Sequence, residues 1–199
     1  MKKIIPALGI IILSFILFIK TPTPVNANVA TQSVTDINCI KGDKIVDYYE
    51  TLTDKTDSEK YLNAAKYFYY QASRTDISNA NALVGHARVA LHQNKTRDAK
   101  NTLMMALNFN PDNPRVTFYL GETFFQEGDY TEAIDYYKWA FTHGYKNDFK
   151  TNYKLGICYE KLNDEHNART HYNNALRIKP DNEDVKKRLK ELTPTGAQK

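Results

Sequence analysis

A repeat constrains this chain more than any other feature. When the sequence is slid against itself, the residues around Gly121 recur 34 positions earlier and 35 positions later. Ala87, Ala90, Ala99, Leu103, Ala106 and Pro111 fall in register with Gly121, Phe124, Ala133, Tyr137, Ala140 and Tyr145. The same register then takes in Gly156, Tyr159, Ala168, Tyr172, Ala175 and Pro180. A fixed period of this length marks supersecondary units that bury their apolar faces only against one another. The extra residue of the longer step falls in the "THGYKND" loop, 142–148.

The stretch "FYLGETFFQEGDYTEAIDYYKWAF" (118–141) shows what one unit contains. Its density of aromatic rings would suit a stacking platform, but their spacing assigns them to packing. Within each half the apolar residues recur at three and four, the helical period. Gly128 supplies a left-handed helix end, and Asp129 and Glu132 stand three apart as in a capping box. The unit is therefore a helix–turn–helix hairpin, with Phe124, Tyr137 and Trp139 on core or second-layer positions. Ala87, Gly121 and Gly156 keep the paired helices close, and Ala99/Ala106, Ala133/Ala140 and Ala168/Ala175 do so from the second helix. "NPDNP" and "KPDNE" end a second helix at proline, and Asp112/Asn113 and Asp181/Asn182 can cap the next.

This pattern of small and large positions resembles the tetratricopeptide repeat. Three units match, 80–113, 114–148 and 149–182. Residues 46–79 read as a degenerate fourth, with Ala65, Tyr69 and Ala72 in phase but Thr53 at the small position and a short first helix, "IVDYYETL". His86 and Tyr145 depart from the pattern, replacing a large apolar residue and a closing proline. "EDVKKRLKEL" (183–192) reads as the charged capping helix such arrays need, ahead of a tail, 193–199. The resemblance implies an all-α solenoid of antiparallel helix pairs that binds a protein or peptide segment and is not an enzyme. It also implies a concave groove lined by Arg88 and Leu91, then Arg115, Phe118, Glu122 and Phe125, then Lys150, Tyr153 and Ile157. Leu91, Phe118, Phe125, Tyr153 and Ile157 are then apolar side chains open in a groove, which marks a binding site. Arg88, Arg115, Lys150 and Lys161 outnumber Glu122 and Glu160, which favours a partner of acidic character. The family's clamp for a peptide carboxylate is matched only by Lys150 and Lys154, with Val84, Arg88 and Tyr119 at the other ligand positions, and is not carried over. A docking subunit of an envelope-processing or assembly machinery and a homo-oligomeric structural protein are the alternative functions.

The amino terminus points to export. "MKKIIPALGIIILSFILFIK" sets a basic start before an apolar run, 4–19, and Val25-Asn26-Ala27 has the small residues of a cleavage site. That is the anatomy of a signal peptide over 1–27. An uncleaved anchor through 4–19 is the alternative and would place the protein on a membrane; spanning takes about 20 apolar residues. Residues 28–44 read as a flexible lead-in. Without 1–27 the chain keeps 24 basic residues against 23 acidic ones. A phosphate-gripping protein shows a clustered basic face, so a nucleic-acid partner is not expected.

Catalytic, metal and cofactor signatures are missing from the sequence. The five histidines form no i,i+4 pair and no HExxH. No nucleophile elbow, phosphate loop or calcium loop occurs. Cys158 lies inside the repeat pattern and reads as a packing residue. Cys39 and Cys158 are three units apart, roughly 30 Å at about 8–10 Å per helix step. A disulfide needs Cα atoms within about 7 Å, so no intramolecular bridge is expected.

Overall fold

Nine α-helices and no strand occupy the described residues, 27–54 and 58–192, of a computed structural model. They are α1 (Ala27–Thr51), α2 (Glu59–Thr75), α3 (Ala80–His92), α4 (Thr96–Phe109), α5 (Pro114–Glu127), α6 (Tyr130–Ala140), α7 (Phe149–Lys161), α8 (Glu165–Ile178) and α9 (Glu183–Glu191). The apolar run 4–19 and the tail 193–199 lie outside the described residues. The chain divides into two compact units at Val34/Thr35. Of the first, only the opening turns of α1 fall in the described range. Beyond the helical course of α1, everything below concerns the second.

Local chemistry sets six of the helix starts, those of α3 and of α5 to α9. Asn79, Asn113, Asp129, Asp148, Asp164 and Asn182 each accept a hydrogen bond from a backbone N–H in the following first turn. These bonds satisfy donors that a helix start otherwise leaves open. The turn inside each of the three clear units holds one left-handed residue: Asn94 (φ 57°), Gly128 (φ 81°) and Asn163 (φ 59°). Asn and Gly are the residues that tolerate this conformation. The added residue of the second unit is taken up by a π-helical turn, Phe141–Tyr145, with Gly144 at φ 135°.

Packing follows the register. Ala87, Ala99, Ala106, Ala133, Ala140, Ala168 and Ala175 are wholly buried. A Cβ on Gly121 would stand 2.6 Å from the Tyr137 ring, and one on Gly156 would stand 2.5 Å from the Tyr172 ring. In the first clear unit Ala87 and Leu103 share a buried cluster. The aromatic density resolves the same way. Tyr137 is wholly buried, Phe124 stacks on Tyr136, and Trp139 stacks on His143 at 3.7 Å.

The first unit differs from its expected form. Residues 28–44, read above as a lead-in, are helical within α1. Gly42, not Thr53, meets the Tyr69 ring, at 2.6 Å from its Cβ position. Gly42 and Tyr69 are 27 residues apart, whereas Gly121/Tyr137 and Gly156/Tyr172 are 16 apart. The difference lies in longer helices and in a connection longer than the two or three residues that join the helices of those units. Thr35, Cys39, Gly42, Val46 and Tyr49 form the buried stripe of α1, alternating four and three apart. At the far end Val185 of α9 is buried against Tyr172 and Ala175 of α8.

Both cysteines are buried and free. Burial, with Asp43 nearby, pushes the Cys39 thiol up to about 11. Burial pushes that of Cys158 up to about 12. Thiolate is the reactive form, so at pH 8 neither side chain should react with a disulfide reagent until the protein is unfolded. Two thiols should then titrate. Prompt reaction of one in the native state would place it outside the core.

Candidate binding groove

The groove residues come from α3, α5 and α7, the first helices of the three clear units. Four of them stand in the core. Arg88 is 4% exposed, Leu91 and Phe118 5%, and Ile157 8%. Leu91 joins the cluster around Ala87 and Leu103. Phe118 packs against the rings of Tyr119, Tyr137 and Tyr145. Ile157 packs against Tyr172 and Val185. Sequence position gives the direction of each side chain but not what the neighbouring helices cover. Arg115, Glu122, Phe125 and Tyr153 remain half-buried, and Lys150 is exposed.

The basic residues already have partners. Arg88 donates to Asp43 (3.2 Å), Asp47 (2.8 Å) and Glu50 (2.9 Å), all on α1. Arg115 reaches Asp43 at 2.5 Å. Lys150 donates to Glu50 at 2.9 Å, joining residues 100 apart in sequence. His92 also meets Glu50, at 3.2 Å. The acidic counterpart expected of a ligand is therefore met in part by the chain's own first helix. Burial would raise the Glu50 carboxyl, but hydrogen bonds from His92, Lys150 and Arg88 outweigh it and hold it far below the usual range.

The α1 carboxylates that pair with these bases are residues that sequence reasoning missed. Their signal was present, since Asp36, Asp43, Asp47 and Glu50 share one helical face. A second device repeats along the array. Tyr69 donates to Asp43 (2.7 Å), Tyr137 to Glu122 (2.5 Å) and Tyr172 to Glu160 (2.5 Å). Each carboxylate also takes a cation from a later element. Glu122 receives Lys154 (2.9 Å), and Glu160 receives Arg188 of α9 (3.0 Å). Burial first, then the adjacent carboxylate, pushes the Tyr137 and Tyr172 hydroxyls well above their ordinary values, so both stay protonated donors.

Two of the candidate residues that remain accessible are aromatic, with cations close to their rings. Lys154 lies 4.2 Å over the Phe125 ring. Tyr153 stacks on Phe149 at 5.8 Å, and its hydroxyl donates to Asp184 of α9. Among the described residues no group of three or more His, Cys, Asp or Glu side chains is placed to hold a metal ion. No described helix is long and apolar enough to cross a membrane.

Paired helices in a 34-residue register, with buried small residues at fixed positions, define a helical-repeat protein. Residues 84–140 and 149–182 match family profiles of the tetratricopeptide repeat. The chain is a tetratricopeptide-repeat protein. It is 25% identical over 133 residues to the protein CTR9 homolog of Arabidopsis thaliana, a match that covers 67% of this chain. The chain spans only 12% of that relative's length. Among solved structures it is similar to PilF of Pseudomonas aeruginosa, at 18% identity and a TM-score of 0.69, over 82% of this chain and 69% of that one. It is also similar to YrrB, described as a tetratricopeptide-repeat protein with an unusual peptide-binding site. That match has 20% identity and a TM-score of 0.56, over 82% of this chain and 81% of the other.

Proposed function

We propose that this protein is a non-catalytic scaffold that binds a protein or peptide segment along its inner face, outside the cytoplasm. The observation that carries the reading is the pair of accessible rings, Phe125 and Tyr153, from first helices of neighbouring units, with Lys154 over one and exposed Lys150 close in sequence to the other. The peptide-binding site ascribed to YrrB supports the class of ligand. The partner presents an apolar side chain to the rings and a carboxylate to Lys150. Lys150 is 59% exposed, and its pair with Glu50 is of the kind worth under about 1 kcal/mol, so an incoming carboxylate can replace Glu50 there. Arg88, buried under three acids, stays with α1.

The double variant Phe125→Ala/Tyr153→Ala tests this reading. Buried interface aromatics are frequent hot spots, so capture of the partner from the envelope fraction should weaken about tenfold or more. Helicity by circular dichroism should stay near that of the wild type. Unchanged capture together with a lowered melting point would assign both rings to packing alone.

Export is a separate part of the proposal. It rests on Lys2-Lys3, the apolar run 4–19 and Val25-Asn26-Ala27. Amino-terminal sequencing of protein from the exported fraction should begin at Asn28. Recovery of only full-length chain in the membrane pellet would favour an anchor through 4–19.

A further inference from the structure

Each unit of a helical array receives the preceding unit on one face of its first helix. At the junction between the first two units that face belongs to α3. Gly85 lies against the Tyr69 ring, His86 meets Ser73 at 3.4 Å, and Val89 is buried in the cluster around Tyr69 and Leu62. Aligning Ala87 with Gly42 transfers those positions to α1. Gly85 becomes Ile40, His86 becomes Lys41, and Val89 becomes Lys44. Ile37 and Tyr48 lie on the same side. This is the face on which a preceding unit would pack.

Its exposure is unlike that of the other end. Ile37 and Tyr48 are 42% exposed and Ile40 is 53% exposed. Phe68 of α2 backs the patch with Lys41 above its ring at 5.5 Å, and Tyr48 meets Tyr61 edge-on. Terminal units of such arrays ordinarily turn a polar face outward. Here that holds for α9, where Glu183 is 82% and Lys187 74% exposed at the side chain. The open face of α1 is instead apolar and basic, because Asp43, Asp47 and Glu50 turn the other way, to Arg88.

We propose that Ile37, Ile40 and Tyr48, flanked by Lys41 and Lys44 and backed by Phe68, dock an amphipathic helix of another protein with carboxylates beside its apolar stripe. Charge complementarity names the occupant. A second copy in a two-fold arrangement would bring Lys41 and Lys44 against their own kind. A second copy stacked head to tail would set the patch against the charged α9. The site is separate from the inner face and independent of the groove reading.

Two designed helical peptides that share one leucine stripe test it, one flanked by glutamates and the other by lysines. Fluorescence anisotropy with the purified protein should give about tenfold tighter binding of the glutamate peptide. Ile37→Asp/Ile40→Asp should abolish that binding without moving the melting point, since both side chains are exposed. Lys44→Glu should shrink the preference between the peptides. Phe125→Ala/Tyr153→Ala should leave it intact. Equal affinity for both peptides, or binding untouched by Ile37→Asp/Ile40→Asp, overturns the proposal. So does a dimer in light scattering that this variant dissociates, which would make a second copy the occupant. Binding to phosphatidylglycerol vesicles that the variant removes, with no peptide preference, would assign the face to a lipid surface and equally overturn it.

Discussion

Gly121→Leu should destabilise the protein by about 3 kcal/mol, the upper part of the range for overpacking a filled site. The Cβ alone would come within 2.6 Å of Tyr137 Cδ1 and 2.7 Å of Cε1. The ring has no room to retreat. It is wholly buried, and its hydroxyl is held by Glu122, whose other oxygen takes Lys154. Displacing Tyr137 therefore disturbs a buried hydrogen bond and an ion pair as well as a packing contact. Gly128→Ala is the contrast. No atom lies within 4 Å of that Cβ position, so only the left-handed backbone opposes the change, at about 1 kcal/mol. Urea melts followed by circular dichroism separate the two mechanisms. If Gly121→Leu melts with the wild type, Gly121 does not face Tyr137 and the register fails.

The same contact explains what could be read from sequence. In the second and third clear units the small residue and its large partner are 16 apart, so the period carries both, and Gly121 and Gly156 identify their positions directly. The first unit escapes the pattern because its helices and their connection are longer. Counting back in phase from Tyr69 lands on Thr53, whereas the true neighbour is Gly42. Periodicity detects equal spacing, and added length in the helices and their connection removes that without disturbing the contact. The helix over 28–44 was legible by another route. Thr35, Cys39, Gly42, Val46 and Tyr49 alternate four and three apart, but Thr, Asn and Val are weak helix formers, and packing on α2 decides the outcome.

The burial of the candidate groove residues was only partly legible. Arg115, Glu122, Phe125, Lys150 and Tyr153 are at least partly accessible, as their positions imply. Leu91, Phe118 and Ile157 are buried because adjacent helices cover them, a tertiary effect that no single unit encodes. The charges mislead for a related reason. A tally over the groove positions of the three clear units finds an excess of bases, while the matching acids sit on α1, outside those units.

Arg88→Met should lower stability by about 3 kcal/mol at pH 7, because it strips a buried cation from acids that remain. Asp47 is 64% exposed at the side chain and contributes little. Asp43 and Glu50, at 24% and 28%, carry the effect. Asp43 keeps Arg115 and Tyr69, and Glu50 keeps His92 and Lys150, so the loss stays below that of an isolated buried charge. Acid should narrow the gap. The Glu50 carboxyl is held low in the folded state, so its contribution is full above its unfolded pKa, about 4.3, and fades as pH falls below it. In the variant, protonation of Glu50 also relieves its repulsion with the neighbouring acids. Wild type should therefore lose more stability than Arg88→Met between pH 7 and pH 3. Arg88→Lys should fall between them, since one ammonium cannot match the guanidinium fork across three carboxylates. Lys150→Ala, which breaks only the exposed arm, should cost under about 1 kcal/mol. Urea midpoints for the four proteins across this pH range provide the check. Arg88 also lies over the Tyr119 ring, 5.6 Å from its centroid. A loss for Arg88→Met that is the same at every pH would mean the side chain acts through that contact, and the α1 acids would then have no part in holding the first unit to the array.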